Sequence, residues 1–477
     1  MSDAPTDSPV ADPAPANFDA PRAPARPARR RPTDLTFHLP DHVQGPGGVA
    51  GEPAWLTADR AAAREAFHRL PIESNQLYTP YIDLRPADLG EVVAYHAPTH
   101  EPGPDASTDV PDALDGVIEF TEDQVTAVAL SQAARDAGVT LEPAGSTLRR
   151  DPDFLRRLVE HGGDLPADDK LAQLTRTAWN QGPVLRVPDG VVLERPIIIR
   201  WVLGRAQRAL LARTIISLGR EARVSVVEEL LAPAPTSGRV GAGQALYAGT
   251  TEVFLDAGAE LAVASVQELG PEQVAFQHRT SSIGEGATLR LALAQLGGRL
   301  VRSRVDNRLV GDRSSVEQVE IVFGAGSQLF DLTSYTRHIG RDTTGDLLSK
   351  GALLDASRSY MKGLITIERS ARGTDSFLGE FGMNLSKQAR AVAIPSLEID
   401  QPDCRRAMHS SSVGPIDEGQ LFYLESRGIP PDEARKFIVL GFLEPVVARV
   451  PLDDVRARLR DLHDEKWSAG TAGAAAA

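Results

Sequence analysis

A chain of 477 residues with a formal net charge of −14 has room for about two or three ordinary domains or one long solenoid with appendages, and its acidic balance excludes nucleic acid as a partner of its general surface. Its one cysteine excludes an intrachain disulfide and a self-sufficient four-thiolate centre, and suits the reducing cytosol. No apolar run approaches the roughly 20 residues of a bilayer helix, and the acidic start (Asp3, Asp7, Asp12, Asp19) lacks the apolar core of a secretory signal, so the sequence reads as cytoplasmic with no membrane contact.

Residues 1–49 are rich in Pro and Ala and carry the basic cluster Arg26, Arg29, Arg30 and Arg31. They hold too little apolar material to offset ordering entropy and are expected to be a disordered tail and linker. A helical N-terminal region is expected over 50–180. Its first helix, 52–70, is Ala-rich, with Pro53 at the start and Pro71 after the end, and places Trp55, Ala63, Phe67 and Leu70 on one face. A loop over 75–85 follows, and the Pro/Asp/Gly-rich stretch 98–113 reads as another. Thr121 and Gln124 have capping-box spacing, which predicts a second helix ending near Gly138. Helical texture returns over 151–179, broken at Gly162-Gly163 and Pro166.

From Gly182 the texture becomes short, alternating, β-branched segments separated by turns containing Gly, as in GREARVSVVEEL, GAELAVASVQEL and GATLRLALAQL. The spacing is too irregular for a strict motif repeat. In AELAVASVQE, Leu261, Val263 and Ser265 point one way and Ala262, Ala264 and Val266 the other, so both faces carry small or apolar groups. Few two-residue Asn-Gly or Asp-Gly hairpin signals occur, which favours a parallel β-helix over a β-sandwich for 181–415. The fold class is therefore mixed, mainly β: a β-helix core flanked by N-terminal and C-terminal helical regions. The C-terminal helical region, 416–467, begins with Asp417 as cap and Gln420 three residues on, stops at Gly428, and restarts after Pro430-Pro431 over 432–442. A last helix over 452–467 aligns Val455, Leu459 and Leu462. Residues 468–477 are expected to fray.

Chemistry-bearing residues are few. The sequence holds no Gly-x-Ser-x-Gly elbow, no His-Glu-x-x-His helix and no paired-cysteine zinc signature. Cys404 and His409 lie together where strands give way to helices. Imidazole binds iron or zinc or carries protons, and a thiolate is a soft metal ligand that the neighbouring Arg405 and Arg406 would favour.

Several blocks resemble the SufB/SufD family of iron–sulfur cluster assembly scaffold proteins: EPAWLTADRAAAREAFHRLPIES (52–74), LTRTAWNQGPVLRVPDGVVLERPI (174–197), HIGRDTTGDLLSKGALLDASRSYMKGLITIERSARGTDSF (338–377) and SLEIDQPDCRRAMHSSSVGPIDEGQLFYLESRGIPPDEARKFIVLGFLEPVV (396–447). The resemblance implies a right-handed parallel β-helix. It is strongest to the SufD branch. The SufB-like pattern has a cysteine near the place of Glu380 and a glutamate directly after the histidine, where this chain has Ser410. The SufD-like pattern keeps the histidine before a small-residue turn and Val-Gly, as in HSSSVG (409–414). Many SufD-like sequences also carry a cysteine two residues before that histidine, where this chain has Ala407.

By that resemblance the chain is a non-catalytic subunit of a SufBCD scaffold. It pairs with a SufB-like subunit and docks a SufC-like ABC ATPase through its C-terminal helices, with a sulfur donor acting indirectly. His409 becomes a ligand to a transient iron–sulfur cluster shared with the SufB partner, with no cofactor held permanently by this chain alone, and Cys404 is a weaker candidate. Phe422, Phe437, Ile438 and Phe442 are the candidate ATPase-docking residues. The alternatives are a SufB-like subunit that carries the cluster itself, a structural solenoid with no ligand, and a polysaccharide-active β-helix enzyme. The last would favour aromatic platforms for sugar rings, yet aromatics are only 5% of the chain.

Overall fold

A computed structural model describes residues 35–39, 52–95, 109–161, 167–233 and 243–475. The tail expected over 1–49 falls outside these except for 35–39, where Phe37 and Leu39 are buried rather than loose. The Gly162-Gly163 and Pro166 breaks and most of the 98–113 loop also lie outside the described residues.

The N-terminal part contains α1 (Ala54–Arg69), β1 (Val93–Ala94), β2 (Gly116–Thr121), β3 (Gln124–Leu130), α2 (Gln132–Asp136), β4 (Thr140–Pro143), α3 (Ala144–Arg150), α4 (Pro152–His161) and α5 (Lys170–Ala178). It is thus mixed, not purely helical. The helix expected from Thr121 is a correction: Thr121 and Gln124 face each other across an antiparallel hairpin, with Glu122 in the left-handed region at φ 54°. The strand-like pattern of QVTAVAL outweighs the cap-like spacing, because β2 and β3 extend a sheet that buries Ile118, Phe120, Val125 and Leu130 in the core. The short helix that does form, α2, is capped by Ser131. In α1 the buried face is Leu56, Arg60, Ala63 and Phe67, one step round from the expected stripe.

The coil itself runs through β5 (Pro183–Val187), β6 (Ile197–Val202), β7 (Arg208–Leu218), β8 (Arg223–Leu231), β9 (Ala245–Leu255), β10 (Glu260–Glu268), β11 (Gln273–Ile283) and β12 (Thr288–Gln295). It continues through β13 (Leu300–Leu309), β14 (Ser315–Gly324), β15 (Leu329–His338), β16 (Thr344–Leu353), β17 (Arg358–Ile367), β18 (Asp375–Asn384), β19 (Arg390–Ile399) and β20 (Arg406–Pro415). Odd-numbered strands from β5 to β19 pair side by side in one sheet and even-numbered strands from β6 to β20 in the other, all parallel, giving a β-helix of about eight turns. At its N-terminal end β4 adds to one sheet antiparallel to β5, and in the other β2 adds parallel to β6 and carries β3 antiparallel at the edge.

Register stacks like on like inside the coil. Leu218, Leu255, Ile283 and Leu309 form one inner column. Val226, Val263, Leu291, Gln318, Leu347, Leu378 and His409 form another. Each fully buried aliphatic adds about 1.5–3 kcal/mol of transfer free energy, so one coil's inner face templates the next. The outer faces are covered too. On the odd sheet, Leu211, Ala248 and Phe276 pack with Phe67, Ile82 and Leu174 of the N-terminal part. Buried ion pairs fasten that contact, with Arg302 2.9 Å from Glu73 and 3.1 Å from Asp331.

The C-terminal part is α6 (Glu418–Ser426), α7 (Pro431–Val447) and α8 (Asp453–Ala475). Asp417 accepts the Gln420 N–H at 2.8 Å and Gly428 takes φ +84°, as the cap and stop signals require. Both later helices run longer than their sequence signals: α7 continues past 442 to Val447, and α8 carries helical backbone on to Ala475. Val439 and Leu443 of α7 and Leu459 of α8 pack with Val266, Ala294 and Phe323 on the outer face of the even sheet. This explains why both faces of those strands are apolar.

Candidate functional site at the open end of the β-helix

The last coil has no successor. β19 pairs only with β17 and β20 only with β18, so each presents a free edge among the described residues. Burial falls away at once: Ile367 on β17 is 0% exposed, whereas its partner in register on β19, Ile399, is 45% exposed. Such an edge invites a partner strand or surface.

His409 sits on β20 in the inner column, in register with Leu378. With no coil above it, the imidazole is exposed and makes no hydrogen bond or ion pair among the described residues. Ala407 and Ser411 share its face and stand over Ser376 and Glu380. Cys404 occupies the turn between β19 and β20 and is half-buried with Leu397 and Ala407 against Ile365, Ala371 and Leu378. The two arginines beside it are engaged elsewhere, Arg405 with Asp342 and Arg406 with Asp375 at 2.6 Å. Among the described residues no group of three or more His, Cys, Asp and Glu side chains converges on one point. This chain alone therefore offers an incomplete ligand set at its open end.

Glu380 is a further inward-facing group just beneath the open end. It is buried on the inner face of β18, and its Oε2 accepts the N–H of Ile394 on β19 at 2.9 Å. Burial pushes its carboxyl up to about 7; the Ile394 N–H and the charge of Lys362 oppose that, while the charge of Glu320 deeper in the coil adds to it. The signal was present in the alternation of SFLGEFGMN, where Glu380 shares the parity of Leu378 and Gly382 and so had to face inward.

The four expected docking residues divide. Phe422 on α6 and Phe437 on α7 are 72% and 61% exposed, joined by Tyr423 at 58%, which the sequence did not single out. Ile438 and Phe442 are half-buried, and Phe442 receives a hydrogen bond from Lys350 Nζ to its carbonyl at 2.7 Å, with the ammonium 4.6 Å above its ring. No residue of α6 is buried, so the helix lies bare beside α7.

A family model described as SUF system FeS cluster assembly, SufBD core domain, matches residues 201–442, from β6 through the open end and α6 into α7. The chain belongs to the SufBD family. The iron–sulfur cluster assembly protein SufD of Bacillus subtilis is 28% identical over 432 residues, covering 87% of this chain and 94% of that one. SufB of the same organism is 24% identical over 415 residues, covering 84% and 87%. A SufBD family protein of Mycobacterium tuberculosis is 32% identical over 224 residues, 46% of this chain and 56% of its own length. The SufBD core therefore includes both the open end and the exposed aromatic surface, and the likeness to whole SufD and SufB chains extends to the N-terminal part.

Proposed function

We propose that this chain is the SufD-like, non-catalytic subunit of a SufBCD scaffold in the cytoplasm. Its open end pairs with a SufB-like subunit, and a nascent iron–sulfur cluster is built where the two meet, with His409 as this chain's ligand. The exposed Phe422, Tyr423 and Phe437 dock a SufC-like ABC ATPase, whose motion is passed to the coil through α7.

The observation that carries this reading is the bare terminal coil. It presents an exposed histidine around which, among the described residues, no group of three or more ligand side chains gathers, next to two free strand edges. A metal-binding imidazole without a ligand set is only half a site, and a free edge is a surface that needs covering. One thiol cannot hold a cluster, so the remaining ligands come from the partner. The half-buried Cys404 is packed into the turn and takes no part.

The test is co-expression of the chain with a SufB-like and a SufC-like protein. A stable complex that assembles iron and sulfide is expected, and His409→Ala should lower its iron and sulfide content at least tenfold without dissolving it. A chain that stays monomeric beside both partners defeats the proposal. Unchanged iron and sulfide in His409→Ala removes that residue from the site.

A further inference from the structure

Glu380 is a carboxylate buried to 2% exposure that makes no ion pair among the described residues, the buried Lys362 acting on it only at longer range. A buried charge is ordinarily compensated, and this chain does so elsewhere in the same column: Glu228 pairs with Arg279 and accepts the Ser265 hydroxyl at 2.7 Å. At Glu380 only one oxygen is engaged, by the Ile394 N–H. Oε1 has no donor, and the space in front of it is kept open by Gly363, where a Cβ would stand 2.8 Å from Oε1 and 2.5 Å from Leu378 Cδ2. A small residue on the facing strand thus preserves a free carboxylate oxygen just beneath the open end.

His409 lies one strand outward and one inward-facing position back from Glu380. Strand spacing and rise put their Cβ atoms about 8 Å apart. An imidazole nitrogen and a carboxylate oxygen, each about 2 Å from one ion, span that gap. The pair is one nitrogen and one oxygen donor, which suits a borderline divalent ion such as ferrous iron and is poorly matched to a soft, sulfide-rich centre.

We infer that Glu380 is a second metal-binding side chain of the open end, an oxygen ligand that holds a divalent transition ion beside His409. This rests on the open-end reading above and gives it an order of events: ferrous iron is held by nitrogen and oxygen before sulfide arrives, with water and partner residues filling the other positions. Any proton on the carboxyl leaves to solvent as the ion binds.

Cobalt(II) is the probe, titrated into the metal-free full chain and followed by its visible absorption. Saturable binding of one ion per chain is expected. Glu380→Gln keeps an acceptor for the Ile394 N–H and removes the charge; it should weaken binding at least about tenfold, as should His409→Ala. Gly363→Ala, which crowds Oε1, should do the same, and Glu320→Gln, two coils deeper in the column, should bind as the parent does. Parent-like binding by Glu380→Gln overturns the inference, as does a parent chain that shows no saturable binding. If His409→Ala alone weakens binding, Glu380 is excluded and the open-end reading stands. Failure of the chain to join its partners defeats that reading separately.

Discussion

Two carboxyls inside the coil, Glu320 and Glu380, are each pushed up to about 7 by burial, against about 4.3 in an unfolded chain. Between those values the folded state holds protons that the unfolded state has released, so these groups' contribution is fully present below about 4.3 and is lost as the pH rises through 7. Glu320→Gln cannot ionise and escapes that loss. It is expected to be more stable than the parent at pH 8 by up to roughly 3 kcal/mol, and by only about 1 kcal/mol at pH 5. Urea midpoints measured across pH 5–8 check this; a gap that does not widen with pH refutes it. Asp169 works in the opposite sense. Although burial opposes it, the charges of Arg304, His278 and Arg302 hold its carboxyl down to about 2, so its contribution is present above the unfolded value and disappears as the pH falls through 2. The inward parity of Glu380 and Glu320 was legible in the sequence, because a strand fixes which residues share a face. How weakly Arg279 compensates Glu320 and Lys362 compensates Glu380 was not, because that depends on which residues of other coils face them.

At the scale of elements, α6 and the start of α7 carry exposed aromatics that the fold does not use. Phe422 and Phe437 are 72% and 61% exposed, so replacing them by serine should change chain stability by no more than about 0.5 kcal/mol. If they anchor the ATPase, each loss should weaken that complex by about 2 kcal/mol or more, the range of interface hot spots. The double variant Phe422→Ser/Phe437→Ser should therefore leave the thermal midpoint in place while abolishing co-purification of the ATPase. Retention of the ATPase would move the docking surface elsewhere. The helices bearing these residues were legible because Asp417, Gly428 and Pro430-Pro431 are local signals that mean the same thing in any fold. The Thr121–Gln124 hairpin was misread for the converse reason: a capping-box spacing is local, but whether that segment is helix or strand was decided by the sheet edge waiting beside it. Likewise Ile438 and Phe442 looked like docking residues because their helix is apolar all round, and only the packing on Lys350 and the even sheet separates the inward side from the outward one.

For the molecule as a whole, the β-helix is a quasi-one-dimensional stack in which each coil is supported by its neighbours on both sides. The N-terminal end is closed by antiparallel strands and the flanks by helices, whereas the last coil is supported from one side only. Opening energies should therefore fall toward β19 and β20, because a terminal coil loses one interface when it frays and an inner coil loses two. Among the described residues the free edges of these strands have no partner strand, although on β19 the N–H of Ile394 is held by Glu380 and that of Ala391 by Asn384 Oδ1. In amide hydrogen exchange of the free chain, segments 390–399 and 406–415 should exchange at least about tenfold faster than the inner strands over 273–309. Adding the SufB-like partner should slow exchange in the two terminal segments and leave 273–309 unchanged, since only the end of the stack gains a neighbour. Ile394 should already be slow in the free chain and should become fast in Glu380→Ala but not in Glu380→Gln, because glutamine keeps an acceptor for its N–H. Protection that appears on the flanks of the coil instead of at β19 and β20 would place the partner on a different face and rule out the open end as the site of pairing.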